Sequence, residues 1–110
     1  MKLVNLTPHP LVIETDRGKL EIKPSGTVAR ASVQQVPNGS MNVDGFEIPV
    51  VKTVFGDIEG IPEPENGTVY ITSSLVASKT SRTDVLAPDT GKSAVRENGR
   101  IVAVTRLQEA

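Results

Sequence analysis

Ala94-Val95-Arg96-Glu97-Asn98-Gly99-Arg100-Ile101-Val102-Ala103-Val104 reads as a β-hairpin, and that reading sets the class of the fold. Asn-Gly at its centre suits a type I′ turn, in which both central residues take positive φ. The return arm, Arg100–Leu107, places Ile101 and Ala103 on one face and Val102 and Val104 on the other, which predicts burial on both sides.

Working outward, similar punctuation recurs along the chain. Leu11–Thr15 and Lys19–Ile22 flank Asp16-Arg17-Gly18 as a hairpin with a three-residue loop. Pro24-Ser25-Gly26 breaks the chain before Thr27–Val36, a half-buried strand with Ala29, Ala31 and Val33 on one side. Asn38-Gly39 and Asp44-Gly45 are tight-turn dipeptides that leave a short arm, Met41–Val43, against a long one, Phe46–Phe55. Ile48, Val50 and Val54 share a face of the long arm, and Pro49 marks it as bulged or at an edge. Gly56 to Gly67 reads as a connecting loop, and Thr68–Ile71 as a short strand with Val69 and Ile71 on one face. Ser73 N-caps a helix of about two turns. Leu86 to Gly91 is loop chemistry. The expected fold is mainly β, a small antiparallel barrel or sandwich with one short helix, in a single domain over 1–110.

Composition narrows the function. Aromatic residues are 3% of the chain, so the core is aliphatic, and there is little on which to stack single-stranded bases. A net charge of -1 and a pI near 5.8 lack the basic face of a sequence-independent nucleic-acid binder. Cysteine is absent, which excludes disulfides and thiolate metal sites and fits a reducing compartment. No stretch has the ~20 apolar residues of a membrane span, and the N-terminus lacks the apolar region of a signal peptide. A cytoplasmic protein is expected.

Candidate chemistry concentrates in Tyr70 to Asp84, where a strand pattern gives way to a helical one. Ser73, Ser74 and the first helical amides could hold a phosphate or carboxylate, with Arg82 adding a charge-assisted contact. Asp84 could accept from a ribose hydroxyl or a base N–H, and Tyr70 could pack on a ring. The plainer reading makes Ser73 a helix cap and pairs Arg82 with Asp84 at the surface. Arg30 and Arg96 are rim cations in the ligand reading.

His9 is the sole histidine, flanked by Pro8 and Pro10. A hydrolase would pair it with Ser73 or Ser74 and orient it with Asp84, but no G-x-S-x-G pattern is present. A rigid, hydrogen-bonding turn is the favoured role. One histidine, no cysteine and scattered carboxylates give no ligand spacing for zinc; Asp84 and Asp89 could share a magnesium with substrate phosphates, but two loop aspartates are common without one, so neither a metal nor a cofactor is expected.

Lys23-Pro24-Ser25-Gly26-Thr27-Val28-Ala29-Arg30 resembles, over a few residues, the Pro-x-Ser-Gly phosphate-binding turn of dUTPases. It marks Ser25, Gly26 and Arg30 as a second candidate anion site, although a turn feeding a strand is the simpler reading. A broader resemblance rests on Asn5-Leu6-Thr7-Pro8-His9, Pro24 to Arg30, Phe55-Gly56 through Gly60 to Pro64, Gly67 to Ile71 with Ser74 to Ala77, and Arg82 to Val85 through Val102. The chain resembles a family of small phage, prophage and bacterial proteins that carry an N-terminal NLTPH motif. That resemblance carries over no activity and no functional residue. It implies a phage origin, and by analogy with unrelated small phage proteins a homo-oligomer that sequesters a phosphorylated or nucleotide-like signal in anti-defence. A phage structural or interaction module and a small nucleotide or phosphoester hydrolase are the alternatives. Binding is favoured over catalysis.

Overall fold

The computed structural model describes residues 1–109. At its centre lies a four-stranded sheet built from β1 (Lys2–Asn5), β6 (Thr68–Ile71), β7 (Val85–Pro88) and β10 (Leu107–Gln108), in that order. β1 runs parallel to β6, β6 parallel to β7, and β10 antiparallel to β7. The short helix α1 (Ser74–Ser78) lies in the crossover from β6 to β7, the connection that a parallel pair needs. The mainly-β expectation with one short helix therefore holds. The central sheet, however, is mixed rather than antiparallel, and the sheets are open.

Both faces of this sheet are covered, and alternate side chains go to opposite sides. Val4, Tyr70, Val85 and Ala87 join Leu6, Ala29, Val76 and Ala77 in one cluster, under α1. Leu3, Val69, Ile71 and Leu86 join Leu11, Ile13 and Val104 in the other. The second cluster is roofed by the hairpin of β2 (Leu11–Thr15) and β3 (Gly18–Ile22). Thr15 pairs with Gly18, so this hairpin closes through the two residues Asp16-Arg17 rather than through three.

The C-terminal hairpin forms as expected, β8 (Val95–Glu97) against β9 (Arg100–Ala103), with Asn98 at φ 54° in the turn. Its return arm is shorter than the sequence suggests. Ala103 and Val104 are buried, while Ile101 and Val102 stay exposed because no layer covers the outer part of the hairpin.

The largest departure is the middle of the chain. β4 (Arg30–Val43) and β5 (Phe46–Glu59) form one antiparallel ribbon of 14 residues per strand. Asp44-Gly45 turns the chain at its tip, with Asp44 at φ 52°. Asn38-Gly39 does not turn it: the extra residue is absorbed as a bulge between Pro37 and Ser40. Of the expected half-buried strand only the start is covered, with Ala29 buried and Ala31 half-buried; from Ser32 on it is exposed, since the ribbon projects from the body. β5 also takes in Gly56 to Glu59, leaving residues 60–67 as the loop. Among the described residues, no helix is long and apolar enough to cross a membrane.

Candidate functional site

Asn5-Leu6-Thr7-Pro8-His9 is a clasp rather than a catalytic turn. Asn5 is fully buried, and its amide nitrogen donates to the carbonyls of His9 (2.8 Å) and Ile22 (3.0 Å). Its side-chain oxygen accepts from the Thr7 backbone N–H (2.9 Å) and hydroxyl (2.6 Å). One side chain thus fixes the Pro-flanked turn and the end of β3 at once. His9 contributes its carbonyl to this knot while its side chain is exposed. Among the described residues no hydrogen bond links His9 to Ser73, Ser74 or Asp84, so the triad geometry is not assembled.

Arg82 and Asp84 come together as the sequence suggests. Arg82 Nε donates to one Asp84 carboxylate oxygen at 3.0 Å and Nη2 to the other at 2.7 Å. The bidentate pair is partly buried, with side-chain exposures of 27% and 23%, so it differs from a solvated surface pair. Each partner moves the other's titration. The hydrogen bond to Asp84 raises the Arg82 guanidinium, and the same bond holds the Asp84 carboxyl below the ordinary aspartate value.

Arg82 also reaches across the chain. Nη1 donates to the Pro62 carbonyl at 2.8 Å, and the guanidinium lies 5.6 Å from the Tyr70 ring centroid. The Tyr70 hydroxyl in turn donates to the Glu63 carbonyl at 3.1 Å. Together these bonds fasten the 60–67 loop against β6. Tyr70 is buried, so it cannot receive a ligand ring as the sequence reading allowed: Arg82 and the core occupy it.

The fastening leaves a cleft of about 460 Å³ between Pro64, Glu65 and Asn66 on one side and Ser81 to Asp84 on the other. Three of the five guanidinium N–H donors of Arg82 are bonded, which leaves two. Ser81, Thr83 and Asn66 add short polar side chains. Asn66, Glu65 and the two hydroxyl residues were missed from sequence. The available signal was the Pro62-x-Pro64 loop itself, since long ordered loops carry function disproportionately.

The other candidates lie elsewhere. Ser73 caps α1 by accepting from the Val76 N–H at 3.3 Å, and with five residues α1 offers too short a dipole for an anion site. Ser74 is exposed on α1. Arg30 pairs across the ribbon base with Glu59, and Ser25 bonds within its own turn, to Thr27. Arg96 donates to the carbonyls of Thr90 and Gly91 (2.8 and 3.0 Å), where it braces a loop together with the Arg106–Asp89 ion pair. Arg82, Arg96 and Arg106 thus secure separate parts of the fold, and Arg30 stands opposite Glu59 in the strand ladder. Among the described residues no group of three or more carboxylate or imidazole side chains is placed to hold a metal ion.

No family model, no curated protein and no solved structure matches the chain.

Proposed function

We propose that this chain is a non-enzymatic binding protein whose cleft at residues 64–66 and 81–84 takes a small phosphorylated or nucleotide-like ligand. The observation that carries the reading is the coincidence of that cleft with Arg82 and Asp84, the pair the sequence marks as candidate ligand-binding residues. About 460 Å³ lies within the range of small-molecule pockets. The two remaining N–H donors of Arg82, with Asn66, Ser81 and Thr83, suit phosphate oxygens. Glu65 and Asp84 suit ribose hydroxyls or an exocyclic amine.

Charge restricts the ligand further. Asp84 neutralises Arg82, so Glu65 leaves the cleft lining with a net negative charge. Repulsion then disfavours triphosphates relative to a monophosphate or a cyclic diester. With the resemblance to small phage proteins, this supports sequestration of a nucleotide signal in the host cytoplasm.

The test is a thermal-shift panel of nucleoside monophosphates, triphosphates and cyclic nucleotides, followed by calorimetry on any hit. A hit is expected among the monophosphates and cyclic diesters rather than the triphosphates, with binding lost in Asn66→Ala and Thr83→Ala variants that melt like the parent. A panel without a shift overturns the proposal. The alternative of an interaction module is favoured by the exposed ribbon.

A further inference from the structure

We propose that the apolar face of the β4–β5 ribbon is a self-association surface, on which a second copy of this chain lays its own ribbon face to face. The inference does not depend on the cleft.

Register defines the face. Met41 pairs with Ile48 and Val43 with Phe46, so these four side chains share one side of the ribbon near its tip. β4 carries the extra residue at the Pro37/Ser40 bulge, so alternation along β5 continues unbroken from Phe46 and Ile48 to Val54. Val36 joins the same side through its pairing with Lys52. Phe46 is 73% exposed, Met41 53%, and Ile48, Val43, Val54 and Val36 between 40% and 45%. The opposite side is polar near the tip, with Ser40 donating to Glu47 at 2.9 Å, and carries three exposed apolar side chains, Val33, Val51 and Phe55, farther toward the body.

An isolated two-stranded ribbon is marginal in water, and this one spans about 45 Å if extended. Whole-chain dimensions record the same misfit. The radius of gyration is 17.9 Å against about 13 Å for a compact chain of this length. The accessible surface is 7940 Å² against roughly 5,900 Å² for a compact monomer of this mass. The excess of roughly 2,000 Å² per protomer is more than twice the ~800 Å² that one partner contributes to a standard interface. On the apolar face itself, the exposed side chains offer on the order of 500 Å² of carbon surface, close to the apolar share of one side of a standard interface.

The occupant follows from chemistry as well as area. The net charge of -1 puts little long-range repulsion between two copies. Pro37 and Pro49 each remove a backbone donor at mid-ribbon, which interrupts edge-to-edge strand addition and favours packing through faces. A face used against itself is self-complementary, as a two-fold interface requires.

Light scattering on a sizing column, run across a dilution series of the full chain, tests this. The parent is expected as a dimer or a higher even multimer. Phe46→Glu/Ile48→Glu is expected to weaken association at least about a hundredfold, while Asn42→Glu/Thr53→Glu on the opposite side leaves it unchanged. These positions are exposed in the protomer, and far-UV circular dichroism verifies folding. Because the chain has no cysteine, single cysteines at Val36, Met41, Ile48 and Val54 provide a second test in the otherwise native protein. At least one is expected to form a disulfide-linked dimer, and Asn42→Cys is not. A monomeric parent overturns the proposal, including one whose ribbon instead binds lipid vesicles. So does a multimer indifferent to Phe46→Glu/Ile48→Glu, or cross-linking confined to Asn42→Cys.

Discussion

Asn5 makes four hydrogen bonds from a fully buried position, to His9, Ile22 and, twice, Thr7. Asn5→Ala leaves the His9 and Ile22 carbonyls without this donor and opens space in the interior. The expected loss is about 3 kcal/mol, read as a lower midpoint in urea denaturation. Thr7→Val removes one hydroxyl from the same knot and is expected to cost about 1 kcal/mol. Equal losses would mean that the turn, not the Asn5 amide, holds the clasp. Asp84 sets a second expectation at this scale. Its folded-state value lies below the ordinary one because Arg82 donates to the ionised carboxylate. The resulting stabilisation is complete above the unfolded aspartate value and is lost as pH falls through the folded one. Arg82 is raised, so its share disappears only in strong alkali. Denaturation midpoints are therefore expected to hold from neutral to about pH 5 and then to decline. Asp84→Asn should lower the neutral plateau by about 1–2 kcal/mol and flatten the acid decline. An unchanged acid slope in that variant would place the sensitivity in other carboxylates, Asp89 first, since Gly91 and Arg106 lower it too.

At the scale of elements, the same substitution should act differently according to where a glycine sits. Gly60 ends the ribbon at φ +90°, and an added Cβ would come 2.6 Å from the Val28 carbonyl oxygen and 3.2 Å from the Ala29 Cα. Backbone cannot swing aside as a side chain can. Gly60→Ala is expected to cost at least about 2 kcal/mol and to loosen the joint between ribbon and body. Gly45 at the ribbon tip has open space around it, so Gly45→Ala meets the positive-φ penalty alone, about 1 kcal/mol. Thermal melts of the two variants separate these outcomes, and an equal loss would remove the steric argument. The elements also show which signals were legible in the sequence. Asn98-Gly99, Asp44-Gly45 and the Ser73 cap formed as read, because turn and cap preferences are set by local sterics and hydrogen bonds. Asn38-Gly39 carries the same preference, yet Gly39 serves a bulge, because pairing on both sides keeps the strand going. The parallel pairing of β1 with β6 leaves no local trace, since its partners are more than sixty positions apart. The Arg82–Asp84 pair was visible at its short spacing, whereas Pro62 and the 64–66 wall reach it only through tertiary folding.

For the molecule as a whole, the ribbon and the body obey different rules of stability. The body has a sheet covered on both faces, and its amide protection should approach the global unfolding free energy. The ribbon has one ladder of hydrogen bonds and few buried side chains, so in a lone protomer its amides open by local fraying. Alternation of apolar residues in the sequence implies a covered face, and the protomer contains nothing to cover it; the pattern reports burial without naming the covering surface. Association would reconcile the two, because the free energy of closing the ribbon then includes the interface and rises with protein concentration. Hydrogen exchange followed by mass spectrometry should therefore show body peptides that open locally exchanging at rates independent of concentration. Peptides covering residues 36–54 should slow on going from dilute to concentrated protein, by about threefold for each tenfold rise in concentration once most of the protein is dimeric, because the monomeric fraction of a dimer falls as the square root of total concentration. In Phe46→Glu/Ile48→Glu that dependence should vanish while the locally opening body peptides exchange as in the parent. Ribbon protection that is strong at every dilution would instead mean that the hairpin closes on its own strength, and the apolar face would then have to be explained by something other than self-association.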